Sequence, residues 1–170
     1  MRTPPEKTTV DESWNLPSRE ALIEAIVERF HEPQYDAMDR LSEALHHLQT
    51  RHGQRWDDWL GRLRNEWEPL VRQLSGHFRR EETVLFPLLA LEGELPPLDG
   101  PIADIMGEHV DELALLDRLS AATGNYTPPA DACPATRELV ENLRAFDEAV
   151  RRHIQVEDQA LFGPLLENRD

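Results

Sequence analysis

Residues 75–89 read SGHFRREETVLFPLL, and residues 151–166, RRHIQVEDQALFGPLL, repeat the same pattern later in the chain. The two stretches share a histidine placed four residues before a glutamate: His77 with Glu81, and His153 with Glu157. This spacing places both side chains of a pair one turn apart on the same face of a helix. Because apolar residues surround each pair, both pairs are expected to be buried, which is costly unless they are paired or bind a metal. The pattern therefore predicts two helices that direct metal-binding groups into a shared core.

Helical periodicity divides the rest of the chain into four segments. Their predicted bounds are 18–50, 54–91, 99–122 and 135–168, with a proline-rich connector at 126–134. Ser18 is the expected N-cap of the first segment, Gly53 lies just past its end, and Pro69 is expected to interrupt the second. Short connections favour antiparallel neighbours. The sequence predicts an all-α protein, an up-down-up-down four-helix bundle formed by residues 20–170 behind an N-terminal tail of residues 1–19.

Two further histidines interrupt the apolar stripes of the other segments. His31 lies near the start of the first segment, and His109 lies near the start of the third, in the stripe Ile105, His109, Leu113, Leu116. In an up-down bundle, these starts meet the ends of the second and fourth segments. At 1.5 Å per residue, the four histidines then spread over roughly 9 Å of bundle depth. We expect the six side chains to converge on one site.

The donor set of this site determines which metal it suits. The predicted ligands are His31, His77, Glu81, His109, His153 and Glu157. Four imidazoles and two carboxylates are too many for one tetrahedral zinc ion, whereas two ions roughly 3.5–4 Å apart fit them with both carboxylates bridging. Mixed nitrogen and oxygen donors select iron or manganese more readily than calcium or magnesium, and the set contains no thiolate. Each ion would keep a position for an external ligand.

Composition excludes several classes of function. The formal charge of −15 repels phosphate backbones and anionic lipid heads, so neither nucleic acid nor a membrane surface is an expected partner. The N-terminus lacks the apolar run of a secretory leader, and no stretch approaches the length of a membrane span. Cys133 is the only cysteine, which excludes an internal disulfide. These features together predict a cytoplasmic protein.

Alternative readings of the polar positions are open at this point. A ferritin-like site needs Glu-x-x-His on two helices, but the two matches, Glu28 to His31 and Glu43 to His46, lie on one segment. A metal-free bundle that uses its acidic surface for interactions is a second alternative. The histidines outside the ligand set are expected at the surface or beside the site: His46, His47 and His52. Glu82, next to Glu81, is expected to face solvent.

The ordered set of motifs resembles the hemerythrin-like (HHE) domain family. The matching stretches are LIEAIVERFH (22–31), SGHFRREETVLFPLL (75–89), IMGEHVDEL (105–113), NYTPPADAC (125–133) and RRHIQVEDQALFGPLL (151–166). Within the family, the chain is most similar to the iron–sulfur cluster repair proteins, the group called repair of iron centres. The resemblance covers residues 19–168.

This resemblance implies an oxo- or hydroxo-bridged centre of two iron ions, bridged by the two glutamates. Helix adjacency places His31 with His153 on one ion, and His77 with His109 on the other. The implied role is iron–sulfur cluster repair in the response to nitric oxide and oxidative stress, with nitric oxide or oxygen as ligand and damaged iron–sulfur proteins as partners. Reversible oxygen binding or sensing, as in the hemerythrins proper, is the alternative, although those proteins use five histidines.

The chain departs from the family pattern at three places. Family members often carry an extra N-terminal domain with two cysteines, where this chain has a short tail. Gly163 breaks the second Leu-Phe-Pro element, which is expected to shift the end of the fourth segment. Pro33 follows His31 closely and is expected to bend the first segment beside the metal, opening access to the ion that His31 binds.

Overall fold

The computed structural model describes residues 10–91 and 97–167, with the backbone alone between residues 52 and 57. The helices are α1 (Arg19–Ile26), α2 (Glu32–Arg80), α3 (Phe86–Leu89), α4 (Asp99–Ala122), α5 (Pro134–Val156) and α6 (Gly163–Glu167). Three π-helical turns connect successive helices, Val27–His31, Glu81–Leu85 and Glu157–Phe162, and a short 3₁₀ turn, Glu12–Trp14, precedes α1. The described residues outside these elements form short connections, which confirms the predicted all-α class.

Helix α2 contains the reversal between the first two predicted segments, although its backbone is helical throughout. The Trp67 indole donates a hydrogen bond to the Ser42 hydroxyl at 2.9 Å. A straight helix would separate these residues by about 37 Å, so the chain turns back between them. The predicted end of the first segment lies at this reversal, where the side chains of Gly53 and Gln54 fall outside the described residues. Pro69 lies inside α2, so the prediction that it interrupts the helix was wrong.

The helices and turns combine into four rods that form the predicted antiparallel bundle. Rod 1 covers residues 19–51, rod 2 residues 58–89, rod 3 is α4, and rod 4 covers residues 134–167. Helix α2 packs against both α4 and α5, which brings the four rods around one core. Within the described ranges, no helix combines the length and apolar character that a membrane span requires.

Two apolar clusters fill this core, and the predicted ligands lie between them along every rod. The large cluster includes Leu45, Leu60, Leu70, Leu116 and Leu143 and lies toward the reversal of α2. The small cluster includes Ile26, Phe86, Ile105, Val156 and Phe162 and lies toward α1, α3 and α6. A layer of polar side chains is therefore enclosed by apolar packing on both sides.

The residues before α1 pack against the bundle. Ser18 caps α1 as predicted, because its hydroxyl accepts a hydrogen bond from the backbone N–H of Ala21 at 3.1 Å. Trp14 is buried and stacks on Phe30, with 5.1 Å between ring centroids. Asp11 forms an ion pair with Arg152 on rod 4. Residues 10–18, predicted as part of the tail, thus cover one side of the polar layer.

Candidate metal centre

The structure brings all six predicted ligands together in the core. His31 ends the first π turn, Glu81 begins the second and Glu157 begins the third. His77 and His153 lie one turn before their glutamates, and His109 lies on the inner face of rod 3. Each of the six residues is at most 1% exposed. All six side chains therefore lie inside the core, where the sequence predicted that they would converge.

Proline explains where the three π turns form. A proline follows each turn by two residues: Pro33, Pro87 and Pro164. Because proline has no N–H, the carbonyl four residues before it loses its usual helical partner. The first residue after each turn instead donates its N–H to the carbonyl five residues earlier: Glu32 to Val27, Phe86 to Glu81, and Gly163 to Asp158. Such widened turns occur frequently at functional sites.

These turns also account for two departures from the family pattern. The first π turn, Val27–His31, lies directly before Pro33, the position where the sequence predicted a distortion of the first segment. At position 163, a Cβ atom would lie 2.8 Å from the backbone oxygen of Asp158. Glycine is therefore needed there, because the third π turn, six residues long, brings this carbonyl against the chain.

The six side chains form two sets of four that share both glutamates. One set is His31, Glu81, His153 and Glu157, and the other is His77, Glu81, His109 and Glu157; in each, one donor atom per residue lies within 4.8 Å of the others. Glu157 directs Oε1 toward His153 Nε2 at 2.9 Å, and Oε2 toward His109 Nε2 at 3.2 Å. Glu81 Oε2 lies 3.4 Å from the Nε2 atoms of both His31 and His77. Each carboxylate thus faces both halves of the site.

An outer group fixes the tautomer of each histidine. The Nδ1 atom of His31 lies 2.7 Å from a Glu82 oxygen, that of His77 lies 2.9 Å from Glu108, and that of His109 lies 2.7 Å from Asp158. The fourth, His153 Nδ1, lies 3.1 Å from the amide oxygen of Gln34. Since ionised carboxylates and the amide oxygen only accept hydrogen bonds, each Nδ1 must carry the proton and donate it. Each Nε2 atom, which points inward, is left with a lone pair.

These inward lone pairs and the carboxylates leave the centre short of positive charge. The Nε2 atoms of His77 and His109 face each other at 3.1 Å. Six other inward atoms are buried without a hydrogen-bond partner among the described residues: Nε2 of His31 and of His153, and both oxygens of Glu81 and of Glu157. Buried polar atoms are rarely left unpaired in this way. A proton or a metal ion has to lie among them, so the donor set fits a cation.

The pKa values that the protein's own charges produce point the same way. Burial alone would lower the pKa of His31, but Glu157 and Glu81 raise it to about 10. Burial also opposes the charged form of His109, yet Asp158 and Glu157 raise its pKa to about 10. Burial, with repulsion from Glu157, raises the pKa of Glu81 to about 8. Protons therefore supply the missing positive charge where no metal is bound.

Glu112 is a site residue that the sequence did not reveal. It is fully buried on rod 3, and Oε1 lies 3.6 Å from His77 Nδ1. Neither of its oxygens has a hydrogen-bond partner within the part of the chain that the structure describes. Burial raises its pKa to about 8, with a contribution from Glu81 and Glu157. The predicted stripe placed Leu113 at this level, but Leu113 is only partly buried and Glu112 faces inward instead. A glutamate three residues after His109 was the available signal.

Other predicted positions can be placed as well. Glu82, which was expected to face solvent, has a side chain that is one-third exposed, and it also accepts the hydrogen bond of His31. His46 and His47 are exposed, as predicted. The side chain of His52 lies outside the described residues. Cys133 is partly buried and precedes α5 as its N-cap.

Histidines from all four rods, and glutamates from rods 2 and 4, point into the core of this four-helix bundle. This arrangement is typical of bundles that bind metal ions. The hemerythrin HHE cation binding domain matches residues 22–165, and the chain belongs to this family.

Curated relatives cover nearly the whole chain. A protein of Haemophilus influenzae named probable iron-sulfur cluster repair protein is 28% identical over 159 residues, which is 94% of this chain and 70% of the relative. The iron-sulfur cluster repair protein YtfE of Edwardsiella ictaluri is 30% identical over 149 residues, which is 88% of this chain and 66% of the relative. The same protein from Enterobacter sp. is 27% identical over 153 residues. About a third of each relative therefore has no counterpart in this alignment.

Proposed function

We propose that this protein binds two iron ions at the buried centre and acts in the repair of iron–sulfur clusters. One observation carries the metal site. Each histidine has its proton fixed on Nδ1 by an outer acceptor, so four lone pairs and two carboxylates face one small volume that needs positive charge. Two cations satisfy these donors, and the absence of thiolate from the set favours iron, with manganese as the competitor.

The two sets of four donors support a specific assignment. His31 and His153 would hold one ion, and His77 and His109 the other, with Glu81 and Glu157 bridging. When bound, the two iron ions supply one-electron redox chemistry and positions for nitric oxide or oxygen. The protein's part is to orient the rings through their Nδ1 hydrogen bonds and to exclude water. Phe78 contributes to this exclusion, stacking on His31 with 4.4 Å between ring centroids.

The role in cluster repair rests on the relatives named for that role and on the nature of the centre. A site that holds two redox-active ions on buried imidazoles and carboxylates suits the delivery of iron to a damaged cluster, or reaction with nitric oxide there. We therefore place the protein in the response to nitric oxide and oxidative stress. Damaged iron–sulfur proteins are its proposed partners.

Metal content tests the centre. Protein purified without oxygen is expected to contain two iron ions per chain by elemental analysis and to give the Mössbauer spectrum of a coupled pair. Replacing His77 or His153 by alanine should remove at least one ion while helical content stays unchanged. His46→Ala and His47→Ala, at exposed histidines, serve as matched controls and should keep both ions. Fewer than one ion per wild-type chain under all preparations would favour a metal-free interaction bundle.

Activity distinguishes repair from oxygen transport. An iron–sulfur enzyme inactivated by nitric oxide should regain activity when incubated with the iron-loaded protein, and the His77→Ala variant should not restore it. A stable oxygen adduct that releases oxygen intact, with no repair of the damaged enzyme, would instead support the hemerythrin-type alternative.

A further inference from the structure

The outer partners of the four histidines are not equivalent. Three histidines donate from Nδ1 to carboxylates: His31 to Glu82, His77 to Glu108, and His109 to Asp158. The fourth, His153, donates to the neutral amide oxygen of Gln34. The three carboxylate contacts measure 2.7–2.9 Å, whereas the amide contact measures 3.1 Å. One histidine of the set therefore has a weaker and uncharged partner.

Gln34 is buried beside His153. It lies three residues after His31 on rod 1 and is 3% exposed. Its Oε1 atom faces Nδ1 of His153, while its Nε2 atom has no hydrogen-bond partner among the described residues. Phe30 covers one face of the His153 ring, with 4.9 Å between ring centroids. Among the described residues, the outer partner of this ring is therefore an amide and not a carboxylate.

Carboxylates are also unevenly distributed around the two halves of the centre. In the half formed by His77 and His109, both histidines have a carboxylate partner, Glu108 and Asp158, and Glu108 also pairs with Arg80. In the half formed by His31 and His153, only one of the two hydrogen bonds that the described residues make to Nδ1 goes to a carboxylate, that of Glu82. A carboxylate partner makes a histidine more basic and a stronger metal ligand, and losing such a partner typically costs 10- to 100-fold in metal affinity. The outer hydrogen bonds therefore make the two halves unequal.

A cavity lies beside the same half. It measures about 680 Å³, runs between α2 and α5, and includes Phe30 and Gln34 in its wall. The weaker outer partner and this cavity thus occur on the same side of the centre.

We infer that Gln34 makes the half formed by His31 and His153 the weaker of the two, so that its ion exchanges first and is the one available for donation. This inference rests on the proposed function. It assigns to Gln34 a positioning role, because the side chain acts through His153. The other half then retains its ion and keeps the site assembled.

Chelation kinetics test this assignment. The chain is loaded with two Fe(II) ions without oxygen and mixed with an excess of ferrozine. The wild-type protein should release iron in two phases of one ion each. Gln34→Glu, which replaces the amide by a carboxylate of the same shape, should slow the fast phase by roughly tenfold or more. A merely structural role for Gln34 predicts no such slowing.

A matched set of variants assigns each phase to a half. Asp158→Asn weakens the partner of His109, so the slow phase should accelerate while the fast phase is unchanged. Gln34→Leu removes the acceptor altogether and should accelerate the fast phase, which decides the question if Gln34→Glu does not fold. A fast phase that ignores both Gln34 variants, or that responds to Asp158→Asn, would overturn the inference.

Iron content measured before mixing separates the two proposals. Fewer than two ions per wild-type chain would contradict the proposed function and this inference with it. Two ions that leave together in a single phase would contradict this inference alone.

Discussion

The large apolar cluster and the polar layer next to it are formed by the same four rods, but they differ in how well their buried polar groups are paired. In the large cluster, buried leucines pack against one another. The buried carboxylate of Asp147 beside them has a partner for each oxygen: Tyr126 donates a hydrogen bond to Oδ2, and Arg151 donates one to Oδ1. In the polar layer, buried donors and acceptors outnumber their hydrogen bonds. An unpaired buried polar group typically costs about 1–3 kcal/mol. The comparison indicates that packing in the apolar cluster offsets the free-energy cost of burying unpaired polar groups at the metal centre.

Breaking the apolar cluster should have the largest effect. Leu70 is fully buried on rod 2, so Leu70→Ala should lower the free energy of unfolding by about 4 kcal/mol, within the range of about 2–5 kcal/mol for such changes. Chemical denaturation with metal-free protein measures the loss. Leu91→Ala makes the same chemical change at a side chain that is 53% exposed and should cost less than about 0.5 kcal/mol.

Leu70→Ala also tests whether the two regions are separate. The variant should still bind two iron ions at temperatures where it is folded, because Leu70 lies seven residues, about two helical turns, before His77, the nearest predicted ligand on its rod. Loss of iron from the folded variant would mean that the apolar cluster positions the ligands directly.

The fold followed from sequence because apolar periodicity and helix ends are local signals. The Ser18 cap was predicted from its residue type, and rod 3 occupies the predicted residues 99–122. The place where the chain turns back was also predicted, because Gly53 is a common helix terminator, although residues on both sides of it belong to one helical run, Glu32–Arg80. The π turns were missed, although each precedes a proline by the same distance, since no propensity scale describes them.

The inner ligands could be predicted because each interrupts an apolar stripe. Their outer partners could not, since Glu108 and Asp158 stand directly beside His109 and Glu157 and resemble ordinary surface acids in a chain with 33 acidic residues. Gln34 gives no signal, because an amide three residues after a histidine is common on any helix. Glu112 was missed because the choice between positions 112 and 113 depends on the rotation of rod 3, which the sequence does not set.

A smaller effect is expected from repairing the polar layer. Burial and the nearby acids hold the pKa of Glu112 at about 8 in the folded protein, against an ordinary value of 4.5. Between these pH values the folded state binds more protons than the unfolded state, so this group's contribution to stability falls as pH rises. In metal-free protein, Glu112→Gln should therefore gain stability relative to wild type from pH 4.5 to 8. The gain should be on the order of 2–3 kcal/mol.

Thermal unfolding across this pH range measures the difference between variant and wild type. Glu141→Gln makes the same chemical change at an exposed glutamate on α5, is the matched control, and should change stability by less than about 0.5 kcal/mol. A constant difference for Glu112→Gln across the range would show that the buried carboxyl does not titrate there.

The smallest effect is expected at the buried polar contact of the large cluster, the hydrogen bond from the Tyr126 hydroxyl to Asp147 Oδ2 at 2.5 Å. Burial and the Asp147 carboxylate raise the pKa of Tyr126, which keeps the hydroxyl protonated as a donor. Tyr126→Phe keeps the ring in place but leaves Oδ2 of Asp147 buried without the hydrogen bond of the hydroxyl. Arg151 still pairs with Oδ1. The expected loss is about 1–2 kcal/mol, measured by chemical denaturation.

Tyr35→Phe, at a partly exposed tyrosine packed edge-on against Phe78, is the control and should change stability by less than about 0.5 kcal/mol. Equal losses for the two variants would mean that the buried hydrogen bond does not contribute to stability. The large cluster and the polar layer would then differ in apolar packing alone, and not in the pairing of their buried polar groups.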